Sequence, residues 1–516
     1  MKVQILSTSD VHGFIYPTNF SQRNDQRSFG FLKAASLIKK QRAAADVTFY
    51  IENGDFIEGS PMAAYAHQKT QGKNYYEIFM RLTNLLKTDA GVLGNHEFNY
   101  GEAYLERVLA KRDYPILGAN LITKKSSVID APYTIIVKGG LKVAILGLTT
   151  QYIPHWERSA NIVGWQFKSI VEIAKKWVPL LHTKADLVIV AYHGGFECDL
   201  VTGKPNEPQT GENEGFKLLA EVPGIDVLIT GHQHRKIATK INGVPVTQPG
   251  YRGDYVGCIT LELDKNHKLT DSKAELLSVA NEQVESETTA ITHTWYADTQ
   301  KWLDQPLANI QGNMEIKDHL RARLYGHPYL DFVNHVQMEA MDTEIAATSL
   351  FNDEVKGLSK EVTIRNVLNS YVFPNTLVVE RVSGRDLKEA LERCASFFEI
   401  QQDGTIKIAP SFLEPKQQLF NYDYYTGIEY TFDLTQPVGC RVKNLQYRGQ
   451  RVEMTEHFKV ALNQYRGVGG GEYPMFSAAK VLNSSDIEVP QLLIDYLNKH
   501  PKISATIPHN IKVITE

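Results

Sequence analysis

The sequence predicts an α/β fold in two parts, a sandwich of strands and helices followed by a smaller α+β domain. The first observation is length, because 516 residues exceed what one ordinary hydrophobic core holds. The second is pattern: between residues 3 and 263, short β-branched runs alternate with amphipathic stretches, as in α/β proteins. The third is a new mixed segment that begins after Gly312. We therefore expect two domains.

Six apolar runs identify strands of the first part. They cover residues 3–6, 47–51, 142–148, 187–191, 227–230 and 257–263. Several of them end in polar residues. A stretch at residues 202–213 that is rich in Gly, Pro and Glu is interpreted as a surface loop. We place this first domain at residues 1–275.

A long helix is expected next, between residues 282 and 309. Apolar side chains recur there as on one helix face, at Val284, Ile291, Trp295, Trp302 and Leu303. We interpret residues 276–319 as a linker containing this helix, and residues 320–516 as the second domain. That domain has helical patterns near residues 329–341 and 384–397 and strand patterns near residues 376–381, 427–432 and 457–463.

Composition excludes several classes of partner. The formal net charge of -4 gives no basic field for a nucleic-acid polymer. No apolar run is long enough to cross a bilayer, so no membrane partner is expected. Residues 1–9 lack the features of a signal peptide, which favours a cytoplasmic protein. The scattered cysteines predict neither a disulfide framework nor a zinc knuckle; they are Cys198, Cys258, Cys394 and Cys440.

Five short segments place oxygen or imidazole ligands directly after strand-like runs. They are Asp10-Val11-His12, Gly54-Asp55, Gly94-Asn95-His96-Glu97, His193-Gly194-Gly195 and Gly231-His232-Gln233-His234. Ligand sites of open α/β sheets form at the carboxyl ends of strands. Singly, an Asp-x-His or a Gly-Asp is common in turns. Together and in this order, the five segments indicate a metal centre.

The spacing of these residues suggests how they converge. In an extended chain, residues two apart point the same way, so Asp10 with His12 and His232 with His234 would each direct two groups at one cavity. Adjacent glycines would let the backbone turn sharply. Asp55 is the candidate bridge between two cations, since a carboxylate has two oxygens. Two divalent ions would leave the centre about two units positive and would attract phosphate. Ligands without thiolates suit Mn, Zn, Fe or Co.

These motifs resemble those of the calcineurin-like metallophosphoesterases, whose pattern runs D-x-H, G-D, G-N-H-[DE], H and G-H-x-H. The segments Asn53-Gly54-Asp55, Gly59-Ser60-Pro61 and G-N-H-E-F-N-Y-G at residues 94–101 are similar to the 5′-nucleotidase / 2′,3′-cyclic-nucleotide 2′-phosphodiesterase family. The resemblance implies a four-layer α/β/β/α sandwich, a C-terminal substrate-binding domain and hydrolysis of nucleotide phosphate esters.

The resemblance also implies roles for individual residues. One metal would be held by Asp10, His12, Asp55 and His234, and the other by Asp55, Asn95, His193 and His232. His96 would contact the phosphate and stabilise its developing charge. Many family members carry an aspartate three residues after that histidine, where this chain has Asn99, a form more like the cyclic-phosphodiesterase branch.

In the second domain, Phe373 and Tyr465 match the family positions that sandwich the nucleobase, a contact that tolerates different bases. Asn375 is a candidate partner for base or ribose. The following glycine run, residues 469–471, either admits a ligand closely or forms a flexible turn. A guanidinium that the family places near residues 348–353 is missing here. Arg365, further along the chain, is a candidate substitute for it, but we prefer to interpret Arg365 as an ordinary surface arginine.

The sequence therefore predicts a two-metal nucleotidase or cyclic-nucleotide phosphodiesterase that acts on small nucleotides. Because ligands and aromatic clamp lie in different domains, we expect both domains to be needed, with movement between them. One alternative is a thiosulfate-ester hydrolase of the same fold, which would not need the clamp. Another is a nucleotide-binding protein without turnover, which would not need a complete set of metal ligands.

Overall fold

The structure is a computed structural model that describes residues 1–68, 72–123, 126–207, 209–373, 375–414 and 417–516. The chain divides into two compact units, Met1–Gln300 and Lys301–Glu516. Within the described ranges, no helix combines the length and apolarity that crossing a bilayer requires.

The first unit alternates strands and helices as expected. Its strands are β1 (Lys2–Thr8), β2 (Val47–Glu52), β3 (Ala90–Val92), β4 (Ile116–Leu117), β5 (Leu121–Thr123), β6 (Tyr133–Lys138), β7 (Leu141–Thr149), β8 (Trp165–Phe167), β9 (Leu187–His193), β10 (Val227–Ile229), β11 (Lys236–Ile241), β12 (Val244–Pro249), β13 (Tyr255–Leu263) and β14 (Leu269–Ser278). Its helices are α1 (Phe31–Ala43), α2 (Pro61–Gln68), α3 (Glu77–Leu85), α4 (Glu102–Leu109), α5 (Ile170–His182), α6 (Gly215–Glu221) and α7 (Ser286–Leu303), the last of which crosses the unit boundary.

Two six-stranded sheets form the centre of this unit, in the orders β14-β13-β1-β2-β3-β4 and β11-β12-β10-β9-β7-β6. Strands β1 to β4 are parallel, as are β7, β9, β10 and β12. One buried cluster joins Val3 and Ile5 of the first sheet to Ile145 and Ile189 of the second, so the sheets pack face to face. Helix α1 covers the first sheet, and α5 and α6 cover the second. This confirms the four-layer sandwich.

Strand β9 shows why its run is apolar throughout. Ile189 and Ala191 point into the cluster between the sheets, while Val188 and Val190 point into the cluster under α5 and α6. A parallel strand buried on both faces reads as a continuous hydrophobic run. The polar residue that ends it, His193, is therefore left at the edge of the sandwich.

The second unit has an α+β architecture. Its strands are β15 (Pro306–Gln311), β16 (Met314–Glu315), β17 (Ile345–Ser349), β18 (Gly357–Leu358), β19 (Glu361–Thr363), β20 (Leu377–Ser383), β21 (Phe398–Ile400), β22 (Ile406–Ile408), β23 (Asp423–Thr426), β24 (Glu429–Asp433), β25 (Val442–Tyr447), β26 (Gln450–Arg451), β27 (His457–Asn463), β28 (Val481–Ser484), β29 (Lys502–Ser504) and β30 (Ile511–Ile514). Its helices are α8 (His319–Tyr325), α9 (Pro328–Met341), α10 (Ile364–Ser370), α11 (Gly384–Ala395), α12 (Gln464–Gly467) and α13 (Val489–Lys499).

The main sheet of this unit has the order β23-β17-β27-β20-β28, with α9 and α11 packed against it. Helix α11 begins at a capping box, in which Ser383 and Asp386 each accept a hydrogen bond from the other's backbone amide. Strands β20 and β27 are antiparallel, with Leu377 opposite Asn463. The segment before β20 and the segment after β27 therefore meet at one end of the sheet.

Candidate metal centre

All five sequence motifs lie at the carboxyl ends of neighbouring strands. Asp10 and His12 follow β1, Asp55 follows β2 and Asn95 follows β3, three adjacent parallel strands of the first sheet. In the second sheet, His193 ends β9, and residues 232–234 follow the adjacent parallel strand β10. The packing of the two sheets brings these ends together.

The backbone at these positions is not extended, so the expectation of an extended chain is wrong. Asp10, His12, Asp55, His232 and His234 have φ angles of 56°, 51°, 55°, 68° and 57°. Residues other than glycine seldom adopt this left-handed region, and such conformations concentrate at functional sites. The side chains of each Asp-x-His or His-x-His pair converge because the chain turns within the motif.

Two groups of potential ligands form, and Asp55 lies between them. In the first group, Asp10, His12 and His234 have ligand atoms within 4.8 Å of one another. In it, the Nε2 atoms of His12 and His234 are 3.0 Å apart, and Asp10 Oδ1 is 3.6 Å from His234 Nε2. The second group, also within 4.8 Å, consists of Asp55, His193 and His232. Asp55 Oδ2 is 3.2 Å from His193 Nε2 and 3.8 Å from His12 Nε2, so it faces both groups.

Asn95 joins the second group through its side-chain oxygen. Its Oδ1 is 2.8 Å from His232 Nδ1 and 3.3 Å from His193 Nε2. The structure thus brings together all seven ligands expected from the sequence. His96 also lies beside the centre, since His12, Asp55 and His96 form a third group within 4.8 Å.

Hydrogen bonds orient the histidines of the second group. His193 Nδ1 is 2.7 Å from the carbonyl oxygen of Asn53, so Nδ1 donates and Nε2 presents its lone pair to the centre. His232 Nε2 is 3.0 Å from Glu212 Oε1, which leaves Nδ1 to face Asn95. Glu212 belongs to residues 202–213, the predicted surface loop, which is largely exposed and also carries this contact to the centre.

Glu97 stabilises the backbone beside the metal ligands. Its carboxylate accepts hydrogen bonds from the amides of Asp55 (2.7 Å), Phe56 (2.7 Å) and Gly94 (2.6 Å), which ties the end of β2 to the end of β3. A Cβ on Gly94 would lie 2.1 Å from Asp55 Oδ1, so only glycine fits here. The G-N-H-E motif thus supplies a brace as well as a ligand, a role that the sequence pattern did not reveal.

The electrostatics of the centre favour cations. Asp10 and Asp55 are 0% and 1% exposed. Burial raises the pKa of Asp10 to about 7. Burial also opposes ionisation of Asp55, but His193 and His96 outweigh it and hold the pKa of Asp55 well below its ordinary value. Buried charges require paired groups or bound metals, and divalent ions would compete with the protons held here. Carboxylate, amide oxygen and imidazole form a donor set that fits such ions.

In the second unit, Phe373 and Tyr465 lie at the same end of the β20–β27 pair. Phe373 precedes β20 and is 39% exposed, with its ring edge-on to Phe351 at 5.1 Å. Tyr465 lies in α12, after β27, and is half-buried. The amide of Gln464 donates to the carbonyl of Thr376 at 2.9 Å, which closes this end of the strand pair. The structure thus places both predicted clamp residues on one edge.

The structure also locates the other residues of the second unit that the sequence singled out. Asn375 is half-buried, and its backbone carbonyl accepts a hydrogen bond from the amide of Val489 at 2.8 Å. A Cβ on Gly470 would lie 2.6 Å from the Tyr465 ring, so this glycine packs against the tyrosine itself. Arg365 is not a surface residue, because it is 6% exposed and its Nη2 is 2.6 Å from Asp304 Oδ1.

The segment at residues 348–353 has a guanidinium beside it that the sequence pattern did not predict. Arg323 of α8 reaches Asp353 Oδ1 at 2.8 Å and the carbonyl of Leu350 at 2.9 Å. It is fully buried, so it supports this segment from within the unit. Only tertiary structure brings it there.

Comparison with known proteins agrees with the geometry. Residues 3–236 match the family model for calcineurin-like phosphoesterases, and residues 312–478 match that for the 5′-nucleotidase C-terminal domain. A 2′,3′-cyclic-nucleotide 2′-phosphodiesterase/3′-nucleotidase of Haemophilus influenzae is 30% identical, over 96% of this chain and 84% of that protein. A trifunctional nucleotide phosphoesterase of Bacillus subtilis is 28% identical over 98% of this chain, which spans 38% of that longer protein.

Among solved structures, one from Staphylococcus aureus that is proposed to be a 5′-nucleotidase is 38% identical. It covers 100% of both chains with a TM-score of 0.92. The match therefore extends over the sandwich, the metal-site motifs and the C-terminal unit alike. The chain belongs to the 5′-nucleotidase and 2′,3′-cyclic-nucleotide 2′-phosphodiesterase family of calcineurin-like metallophosphoesterases, hydrolases of phosphoric esters that use divalent metals.

Proposed function

We propose that this chain hydrolyses phosphate esters of nucleotides at a centre of two divalent ions. The observation that carries the proposal is the position of Asp55, whose Oδ2 faces His193 Nε2 at 3.2 Å and His12 Nε2 at 3.8 Å. A carboxylate between two groups of ligands is suited to hold two cations next to each other. A site for one ion would have no need of the second group.

In this proposal, Asp10, His12, Asp55 and His234 hold one ion, and Asp55, Asn95, His193 and His232 hold the other. Bound there, the ions would supply positive charge for phosphate oxygens and would make a water molecule more acidic and so a better nucleophile. The residues around them fix the geometry beforehand. Asn53 and Glu212 hold the histidine rings, and Glu97 holds the backbone, so little reorganisation is needed on binding.

His96 is proposed to donate a hydrogen bond to the substrate phosphate. Its Nδ1 is 2.6 Å from Asn99 Oδ1 and 3.1 Å from Glu58 Oε2. Both neighbours are acceptors, so Nδ1 is occupied and Nε2 is the nitrogen left to face a ligand. The side chain is 30% exposed, which gives a substrate access to it.

For the substrate, we propose a nucleotide whose base lies against Phe373 and Tyr465, with Asn375 nearby. The 2′,3′-cyclic-nucleotide 2′-phosphodiesterase/3′-nucleotidase reaction is our first choice, supported by the relative from H. influenzae and by the Asn99 form of the motif. Hydrolysis of 5′-nucleotides is the second choice, supported by the relative from S. aureus. The exposed ring of Phe373 argues against a small thiosulfate ester as the substrate.

The test is an assay of metal-free protein loaded separately with Mn²⁺, Zn²⁺, Fe²⁺ or Co²⁺ and supplied with 5′-, 3′- and 2′,3′-cyclic nucleotides. Chromatography of the products would distinguish the two reactions, because a cyclic phosphodiesterase first yields the 3′-nucleotide. Asp55→Asn should be inactive. Asp25→Asn is the matched control, since Asp25 is also buried but pairs with Arg27 away from the ligands. Metal-loaded protein that binds nucleotides without hydrolysing any of them would contradict the proposal.

A further inference from the structure

A buried carboxylate from outside the G-N-H-E motif lies beside the His96 ring. His96 Nδ1 is 3.1 Å from Oε2 of Glu58, a residue of the loop between β2 and α2. Glu58 is 2% exposed, so its carboxylate is directed inward and not at solvent. It is also 4.0 Å from His12 Nδ1, which is beyond hydrogen-bond range. Of these two histidines, the carboxylate therefore contacts His96 closely and His12 only at long range.

Asn99 is the second neighbour of the His96 ring, and its orientation is fixed from behind. Its Nδ2 donates to Glu157 Oε2 at 2.7 Å, which turns its Oδ1 toward His96 at 2.6 Å. Asn161 holds this arrangement, since its Nδ2 is 2.8 Å from Glu157 Oε1 and 2.9 Å from the carbonyl of Asn99. An aspartate at position 99 would place a second carboxylate against Glu157. The local structure therefore requires an uncharged side chain there.

We propose that Glu58 is the positioning residue that holds the His96 ring with Nε2 facing the substrate. In the same proposal, the Glu157 carboxylate makes an amide side chain at position 99 more favourable than a carboxylate. This inference rests on the proposed function and assigns a residue that the sequence motifs did not mark. Asn99 Oδ1 accepts the hydrogen bond from Nδ1 at 2.6 Å, and the Glu58 carboxylate lies 3.1 Å from the same nitrogen. A carboxylate at this distance adds an electrostatic attraction for the ring N–H, so Glu58 and Asn99 together hold the ring in one orientation.

The test begins with two substitutions at Glu58, assayed with p-nitrophenyl phosphate on the metal-loaded full chain. Glu58→Ala should lower kcat by about 10- to 100-fold, the usual effect of losing a residue that orients a functional histidine. Glu58→Gln keeps an oxygen acceptor and should fall between Glu58→Ala and wild type. KM and metal content should stay unchanged in both. Glu197→Gln is the control, because Glu197 is similarly buried but accepts from the amides of Phe216 and Lys217.

A double-mutant cycle with His96→Ala then separates positioning from a general structural role. If Glu58 acts through His96, adding Glu58→Gln to His96→Ala should cause no further loss of kcat, because the ring to be positioned is gone. Additive losses would overturn the proposal, as would loss of metal or wild-type kcat in both Glu58 variants. If Glu58→Ala does not fold, the cycle with the nearly isosteric Glu58→Gln decides alone.

The Asn99 half of the proposal has its own variants. Asn99→Asp should reduce kcat, and adding Glu157→Gln should restore it, since the repulsion is then removed. Wild-type kcat in Asn99→Asp would refute this half. These outcomes are distinct from failure of the proposed function, which would appear as wild-type protein that releases no phosphate from any ester. Active wild type with unaffected variants refutes only the inference.

Discussion

Removal of the His96 side chain tests whether this residue binds the substrate phosphate or a metal ion. Asn95 supplies the ligand of the G-N-H-E motif, with Oδ1 at 2.8 Å from His232 Nδ1. His96 is instead held through Nδ1 by Asn99 and Glu58. His96→Ala should therefore leave both groups of ligands intact while removing one hydrogen-bond donor to the phosphate.

The size of the effect follows from that count of donors. With Nδ1 engaged, one N–H remains for the substrate, and losing one donor of this kind lowers kcat by about 10²- to 10³-fold, or about 2.7–4 kcal/mol. The free energy of unfolding should change less than the activation free energy. Asn99 Oδ1 and Glu58 Oε2 would each lack a partner, at a cost of about 1–3 kcal/mol for a buried acceptor. The cost should be near the lower end, because the His96 side chain is 30% exposed and water can enter.

The assay compares kcat for p-nitrophenyl phosphate, bound metal by mass spectrometry and the unfolding midpoint. His267→Ala is a matched control, since that side chain is 31% exposed and lies in the β13–β14 hairpin near Asp186. The alternative has a structural basis as well, because His12, Asp55 and His96 could form a metal group of their own. Loss of a metal ion from His96→Ala would refute our assignment, and unchanged kcat would exclude any role in the chemistry.

Three further predictions concern other parts of the chain. Asp55→Asn should reduce bound metal below two ions per chain and abolish hydrolysis; two ions with normal turnover would refute the bridge. Phe373→Ala with Tyr465→Ala should raise KM for nucleotides but leave p-nitrophenyl phosphate nearly unaffected, because that ester has no base to stack; equal losses on both substrates would indicate damage to the fold. Burial raises the pKa of Glu380 from 4.5 to about 8, so its contribution to stability is full below about pH 4.5 and is lost as the pH rises through 8. Glu380→Gln should not lose stability in this way. The difference between the unfolding midpoints of Glu380→Gln and wild type should therefore shift in favour of the variant between about pH 5 and about pH 8.5.

Local pattern in the sequence predicted much of the architecture. Continuous apolar runs marked β7 and β9 because both faces of these strands are buried. Helical periodicity marked α7 and α11, which the structure places at Ser286–Leu303 and Gly384–Ala395. The ligands could be found because each lies directly after such a run, where strand order alone brings the motifs to one edge.

Contacts between distant segments could not be predicted in this way. Glu58 approaches His96 and Glu212 approaches His232 through loops whose paths depend on the whole sandwich. Neither residue belongs to a motif with fixed spacing. Arg365 appeared to be a surface residue because its partner, Asp304, lies 61 positions earlier in the chain. The left-handed turns of the ligands were also missed, since no single residue type requires them.

The most direct test of the two-metal proposal is a titration of metal-free protein with Mn²⁺, in which bound metal and the rate of phosphate release are measured on the same samples. The proposed sharing of Asp55 between two groups of ligands predicts that the rate continues to rise until two ions are bound per chain and then remains constant. A rate that reaches its maximum with one ion bound, or that stays at zero with two, would contradict it.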